Sequence, residues 1–158
     1  MNRRYLTLAG RIENELTDIE KIVKRALESW EKAENTSDDL YIDSVALNLH
    51  SFYSALERIF ELIAVEIDEM KPEGDSWHLK LLRQMGINIK YVRPAVLSKA
   101  TIHELDEYRG FRHIVRNVYT YNLSKNKMKP LVENSTTLFK EVKSELEIFL
   151  EFIYENMK

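Results

Sequence analysis

The sequence predicts an all-α protein, an up-and-down four-helix bundle with one short accessory helix. Apolar residues recur at steps of three and four along most of the 158 residues, which is the period of amphipathic helices. Only four glycines and three prolines punctuate the chain. A composition of 44% hydrophobic and 31% charged residues suits one packed core, so we predict a single helical domain over residues 1–158.

The composition also excludes several classes of protein. There is no cysteine, so neither a disulfide nor a thiolate zinc site is available. The first residues run directly into a charged periodic segment, without an apolar signal-peptide stretch. No run approaches the roughly 18 apolar residues that a membrane span needs. We therefore expect a soluble, cytoplasmic protein with no membrane partner.

Two long helices are predicted first. Residues 3–34 carry a single apolar stripe, and residues 35–38 form a turn in which Ser37 is the predicted N-cap of the next helix. The second helix, residues 38–70, is apolar on more sides than the first. Such a helix is usually central and touches several neighbours.

The rest of the chain predicts one short helix and two further long ones. The short helix covers residues 76–85, and residues 86–97 form an irregular connection rather than a strand. Ser98 caps a long helix that extends to about Tyr121. A basic loop follows over residues 122–129, and Pro130 begins a final helix that extends to about Asn156, because proline is favourable at a first helical position.

Basic residues are concentrated in two stretches that contain no acid. Between residues 76 and 100 they are Lys80, Arg83, Lys90, Arg93 and Lys99. Between residues 108 and 130 they are Arg109, Arg112, Arg116, Lys125, Lys127 and Lys129. The formal net charge of the chain is −3, so the acids must lie mainly outside these two stretches. Basic residues concentrated in this way predict a local phosphate-binding face on an otherwise acidic body. The alternative is an ordinary solvated basic surface.

The helix that contains residues 108–119 carries the most informative pattern. At about 100° per residue, one side is apolar and should face the core, with Phe111, Ile114, Val115 and Val118. The opposite side carries Arg109, Arg112, His113 and Arg116, with Asn117 at its edge and Tyr108 and Tyr119 flanking Arg112. Arginines at these spacings repel one another, which favours an external anion as their partner. The alternative is pairing with acids of a neighbouring helix, such as Glu57, Glu61 or Glu69.

Gly110 lies on the basic side of the same helix. A glycine inside a helix costs about 1 kcal/mol relative to alanine. Close approach of another backbone or of a ligand would explain its presence, and so would chance tolerance.

Several short motifs, in a fixed order, resemble the HepT-like HEPN ribonuclease toxins. They are Leu49-His50-Ser51-Phe52-Tyr53 with Leu56-Glu57-Arg58-Ile59-Phe60, then Trp77-His78, then Arg93-Pro94-Ala95-Val96, and finally Arg109-Gly110-Phe111-Arg112-His113. The similarity runs from about residue 40 to residue 123. It implies a metal-independent ribonuclease without a cofactor, directed at tRNA, that forms a homodimer through the face of the helix from Arg109 to Tyr119.

The signature of that family is an arginine, a polar residue, three variable residues, a histidine, any residue and a tyrosine. The resemblance places the arginine at Arg112, the polar residue at His113 and the tyrosine at Tyr119, whereas Asn117 occupies the histidine position. We therefore predict that these four residues form the catalytic site. The neighbouring cations are predicted to bind RNA phosphates: Arg109, Arg116, Lys125 and Lys127.

The family resemblance also implies a protein partner, a minimal nucleotidyltransferase antitoxin. Such a partner would neutralise the toxin by transferring AMP, and Tyr119 is the expected acceptor. AMP at this position would bring negative charge and bulk into a cationic cleft, and would oppose RNA binding directly.

Asn117 leaves the proton transfers of RNA cleavage open. Histidine both gives and takes a proton near neutral pH, and an asparagine amide does neither. His113 supplies the proton transfer from a shifted position, or Asn117 only orients RNA in a slow enzyme, or the site is inactive. A non-catalytic helical module that binds a nucleotidyltransferase or RNA is therefore the alternative function.

The three other histidines carry weaker expectations. We expect His50 to be a satisfied core histidine and His103 to lie on the surface, whereas His78 is either structural or part of the cleft. No pair of histidines has convincing metal spacing with carboxylates, so we predict no metal site.

Overall fold

A computed structural model of the chain describes residues 2–117 and 123–157. These residues form five α-helices: α1 (Arg3–Asn35), α2 (Leu40–Ile63), α3 (Trp77–Gln84), α4 (Lys99–Asn117) and α5 (Lys125–Asn156). A π-helical turn, Ala64–Asp68, continues α2. The long helices form a ring in which α1 contacts α2, α2 contacts α4, α4 contacts α5, and α5 contacts α1. The short α3 lies on α2 and α4. The predicted all-α bundle with an accessory helix is confirmed.

Helix α2 is central, as its wide apolar surface predicts. It contacts all four other helices, and its largest side chains are fully buried, among them Phe52, Tyr53 and Phe60. The predicted stripe of α1 packs against it, from Leu8 to Trp30. Burial of such a continuous apolar surface is the main stabilising contribution to a bundle of this kind.

The helix start predicted at Ser98 is right, whereas those predicted at Ser37 and Pro130 are wrong. The hydroxyl of Ser98 accepts a hydrogen bond from Thr101 N at 3.2 Å, so the predicted cap of α4 is confirmed. Ser37 does not cap α2, because Asp38 Oδ1 accepts the hydrogen bond from Leu40 N instead, at 3.0 Å. The part of the predicted α4 beyond residue 117 lies outside the described residues.

The predicted start of α5 at Pro130 is also wrong. The helix begins at Lys125, and Pro130 lies inside it. The carbonyl of Ser124 accepts bonds from Lys127 N and Met128 N at 3.2 and 3.4 Å, so one more turn forms before the proline. The stretch predicted as a basic loop therefore forms a helical turn from Lys125 onwards. The missing N–H of Pro130 removes one helical hydrogen bond, a cost that burial of the neighbouring Leu131 and Val132 offsets.

Arg93, in the irregular connection between α3 and α4, is a structural residue and not part of a basic surface. Its guanidinium pairs with the buried carboxylate of Asp68, with Nε and Nη2 donating at 2.6 and 2.7 Å. The remaining N–H groups donate to three backbone carbonyl oxygens, those of Gln84, Ile87 and Pro94. All five guanidinium donors thus have acceptors. The prediction that the acid-free stretch 76–100 is a phosphate-binding face is wrong for this residue.

Within the described residues, none of the helices combines the length and the apolar character required to cross a membrane.

We expect Arg93→Ala to lower the free energy of unfolding by about 3–5 kcal/mol, because it leaves the Asp68 carboxylate buried without its partner. Urea denaturation measures the change. Lys90→Ala, in the same connection but exposed, is the control and should change stability by less than about 0.5 kcal/mol. Equal effects of the two substitutions would show that the buried pair does not hold this connection.

Candidate functional site

The site is built around a carboxylate that α2 buries. Glu57 is only 3% exposed, although it lies in the middle of the most apolar helix of the protein. An ionised carboxylate that leaves water needs hydrogen-bond donors or cations in return. Two other helices supply these partners, so Glu57 is the point where α2, α3 and α4 meet.

Helix α3 contributes His78, in its first turn. The Nδ1 atom of His78 lies 2.8 Å from Glu57 Oε2. Trp77 stacks on the imidazole with ring centroids 3.7 Å apart, and Lys71 lies 4.8 Å from the centroid of Trp77. A turn at Gly74, whose φ of 96° suits glycine, precedes this segment, and Trp77 N donates to Gly74 O at 3.3 Å.

Helix α4 contributes Arg112, which is not the solvent-facing residue that the helical projection predicts. Its side chain is 15% exposed, and Nη1 donates to Glu57 Oε1 at 3.1 Å. The alternative reading, in which an arginine of this helix pairs with an acid of a neighbouring helix, is confirmed for Glu57. Glu61 binds Lys71 instead, at 3.2 Å.

The proton on His78 follows from these contacts. A carboxylate only accepts hydrogen bonds, and an arginine only donates them. Arg112 Nη1 lies 3.2 Å from His78 Nδ1, whereas Glu57 Oε2 lies closer, at 2.8 Å. We assign the proton to Nδ1, pointing to Glu57, because this satisfies the shorter contact. The approach of Arg112 Nη1 is then a contact and not a hydrogen bond. Nε2, at the opposite edge of the ring, is left as the second proton-binding atom.

These residues border a depression of about 540 Å³. It is lined by Asp75, Ser76, His78, Leu79, Arg109, Arg112, His113 and Arg116. Four predicted site residues of α4 therefore come together with His78 of α3. Arg109 is half-buried and donates to Asp106 at 2.6 Å, whereas His113 and Arg116 are exposed.

The other predicted site residues lie elsewhere or cannot be placed in the depression. Lys125 lies over the ring of Trp30, 5.5 Å from its centroid, and Lys127 is exposed on the first turn of α5. Asn117 is the last described residue of α4, and Tyr119 lies outside the described residues. Tyr108 does not flank the basic face, because it is buried and donates to Leu131 O at 2.6 Å.

Glu57 was missed as a site residue by the sequence, and His50 was misjudged. His50 is half-buried rather than a core residue. Burial and then the charges of Arg112 and Arg116 lower the pKa of its imidazole. A spacing of seven residues puts His50 and Glu57 on one face of α2, and this heptad spacing was the available signal. His103 is exposed, as predicted.

Tyr53 contributes a buried hydroxyl near the same charges. Burial raises the pKa of its phenol well above the ordinary value, and the nearby Glu57 carboxylate adds to this while Arg109 and Arg112 oppose it. Among the described residues, the Tyr53 hydroxyl has no hydrogen-bond partner. In the same part of the chain, no group of three or more histidine or carboxylate side chains is arranged to hold a metal ion.

Comparison with known protein families matches a profile described as HepT-like protein to residues 44–153, which is more than half of the chain. The chain belongs to the HepT-like family. The matched part of this HepT-like protein runs from α2 into the last turns of α5, so it includes Glu57, His78 and Arg112. Comparisons with curated proteins and with solved structures gave no significant match.

We expect Arg112→Ala to lower the free energy of unfolding by about 3 kcal/mol, because only His78 then remains beside the buried Glu57 carboxylate. Arg116→Ala, one turn later and exposed, is the matched control and should change stability by less than about 0.5 kcal/mol. Urea denaturation compares the two. If Arg112→Ala were as mild as Arg116→Ala, Arg112 would serve a ligand rather than the fold.

Proposed function

We propose that this HepT-like protein is an RNA-cleaving toxin, directed at tRNA, that acts as a homodimer. The observation that carries the proposal is the depression in which Arg109, Arg112 and Arg116 lie beside two histidines, His78 and His113. Guanidinium groups bind phosphate and stay charged, and histidines exchange protons near neutral pH. These are the two requirements for attack of a ribose 2′-hydroxyl on the adjacent phosphorus.

The three arginines of the depression differ in how available their guanidinium groups are to bind a phosphate. Arg116 is exposed, and its charge is available to an incoming phosphate. Arg112 already neutralises Glu57, and Arg109 is engaged by Asp106. We therefore assign the primary phosphate contact to Arg116, with Arg112 and Arg109 adding positive potential around it. Lys125 and Lys127 lie outside the depression, on the first turn of α5, and we propose them as additional phosphate contacts.

Asn117 and Tyr119 keep the roles that the family pattern suggests for them as proposals. Asn117 orients the RNA but transfers no proton, because an amide does not titrate near neutral pH. Tyr119 is the acceptor for AMP from a minimal nucleotidyltransferase antitoxin, and intact-mass measurement after co-expression with such an enzyme would detect the modification. The alternative function, a non-catalytic module that binds RNA or this partner, is favoured by Asn117 alone.

The proposed dimer forms through the basic face of α4. Two copies of this face repel each other, so the dimer should tighten as salt rises, whereas RNA affinity should weaken as salt rises. A methyl group built at Gly110 meets nothing within 4 Å in the single chain. This open space next to Arg109 is where we place the close approach of the second copy.

We expect the purified protein to cleave a total tRNA pool, and Arg116→Ala to reduce cleavage at least tenfold because the primary phosphate contact is lost. Arg25→Ala, an exposed arginine of α1, is the matched control and should cleave normally. Asn117→His restores the family histidine and should cleave as fast as the natural chain or faster. If none of these proteins cuts RNA, the interaction-module function is the better proposal.

Gly110→Ala and Gly10→Ala form a matched pair for testing the dimer. Both positions lie inside helices, and a methyl group at either meets nothing within 4 Å, so each substitution should stabilise the monomer by up to about 1 kcal/mol. Only Gly110→Ala should weaken the dimer, by at least tenfold in sedimentation equilibrium. An unchanged dimer with Gly110→Ala would move the interface away from this part of α4.

A further inference from the structure

We infer that His78, held by the buried carboxylate of Glu57, is the proton acceptor for the attacking ribose 2′-hydroxyl. The inference rests on the proposed ribonuclease function and names the group that performs a step for which Asn117 is unsuited. The sequence left His113, one turn before Asn117, as one of three alternatives for this step. His78 lies 34 residues earlier than Arg112 in the chain and reaches the same depression from α3.

The contact with Glu57 gives His78 a fixed orientation. Nδ1 lies 2.8 Å from Glu57 Oε2, and the Glu57 side chain is only 5% exposed. The imidazole ring lies against Trp77. A quarter of the His78 side chain remains exposed, on the depression. Because Nδ1 is directed into the protein, the Nε2 edge is the one left for a substrate. A carboxylate behind an imidazole selects the tautomer and stabilises the imidazolium that forms on proton uptake.

The four histidines of the chain all lie in the described residues, so they can be compared directly. His103 is exposed on α4, nine residues before Arg112, and does not line the depression. His50 is half-buried on α2 and does not line the depression. His113 lines the depression but is exposed. His78 combines access to the depression with a buried carboxylate partner, which is the arrangement of an oriented general base.

The charges that face His78 come from each element packed around it. Glu57 approaches from α2 and Arg112 from α4, whereas Asp75 precedes α3 at the border of the depression. Arg109, His113 and Arg116 line the same depression from α4. A phosphate bound by the arginines would place the 2′-hydroxyl of the preceding ribose at the entrance to His78.

The proposed cleavage requires one base and a water molecule. Nε2 of His78 takes the 2′-hydroxyl proton as the 2′-oxygen bonds to phosphorus. The bond between phosphorus and the 5′-oxygen breaks, and the leaving 5′-oxygen takes a proton from water. The products are a 2′,3′-cyclic phosphate and a 5′-hydroxyl end, and His78 returns its proton to solvent. Glu57 is a positioning residue, since it acts only through the imidazole.

The test compares His78→Asn with His113→Asn and His103→Asn in cleavage of tRNA by the full chain. Asparagine places an amide N–H close to the position of Nδ1, so His78→Asn keeps a donor for Glu57 while it removes the proton acceptor. We expect kcat to fall about 10²–10⁴-fold with KM changed less than threefold. The fall in rate at acidic pH that a general base causes should also disappear. The control substitution is His103→Asn, which is exposed and outside the depression, and it should change kcat less than tenfold. His113→Asn tests the competing assignment of the base.

Glu57→Gln tests the positioning role separately from the catalytic one. It also controls for a loss of activity that comes only from misfolding. It keeps the size of the side chain, so circular dichroism should stay unchanged while kcat falls. RNA affinity should not fall, because the substitution removes a negative charge beside Arg112. If the natural chain cleaves and His78→Asn still cleaves within threefold, the assignment of His78 is wrong and the ribonuclease function stands. If His113→Asn alone abolishes cleavage, the base is His113. If the natural chain cleaves no RNA, both the proposed function and this inference fail.

Discussion

The need to neutralise one buried carboxylate determines how the functional part of this protein is arranged. Glu57 has left water in the middle of α2, and an uncompensated charge there would cost several kcal/mol. Its two oxygens are bound by different helices, Oε2 by His78 of α3 and Oε1 by Arg112 of α4. The short α3 contributes little apolar surface to the core, so this polar contact, together with the buried Leu81 and Leu82, decides its position. The depression exists because α3 is held there.

A second buried ion pair fixes the other end of α3. Asp68 lies in the π-helical turn that ends the central helix, and Arg93 brings the connection after α3 back to it. Gln84, the last residue of α3, donates to the same carboxylate at 2.8 Å and to Met70 O at 3.0 Å. The accessory helix is thus held at its start by Glu57 and at its end by Asp68. Two hydrogen-bonded carboxylates on one helix specify the place of an element that packing alone would define poorly.

Features that depend on neighbours in sequence could be predicted, whereas features that depend on distant partners could be predicted only as one of several alternatives or not at all. Periodicity gave the helices, and Ser98 was identified as a cap because its acceptor lies three residues from its donor. For Arg112 two alternatives stayed open, an external anion and a neighbouring acid such as Glu57, because a helical projection shows which residues share a face but not what approaches that face. Its partner is 55 residues away in the chain. Arg93 was misjudged for the same reason, since the acid-free stretch around it gave no sign of Asp68.

The pairing of Arg112 with Glu57 also bears on how a site with Asn117 could carry out the proposed reaction. A catalytic arginine held only by substrate is free to move, whereas Arg112 is fixed by Glu57 and is partly neutralised by it. The carboxylate thereby lowers the local positive charge. In the proposed function, phosphate binding then depends mainly on the exposed Arg116. The proposed function separates phosphate binding on α4 from proton transfer on α3, and such a division would have no requirement for a histidine at position 117, so an asparagine there is compatible with the ribonuclease that we propose.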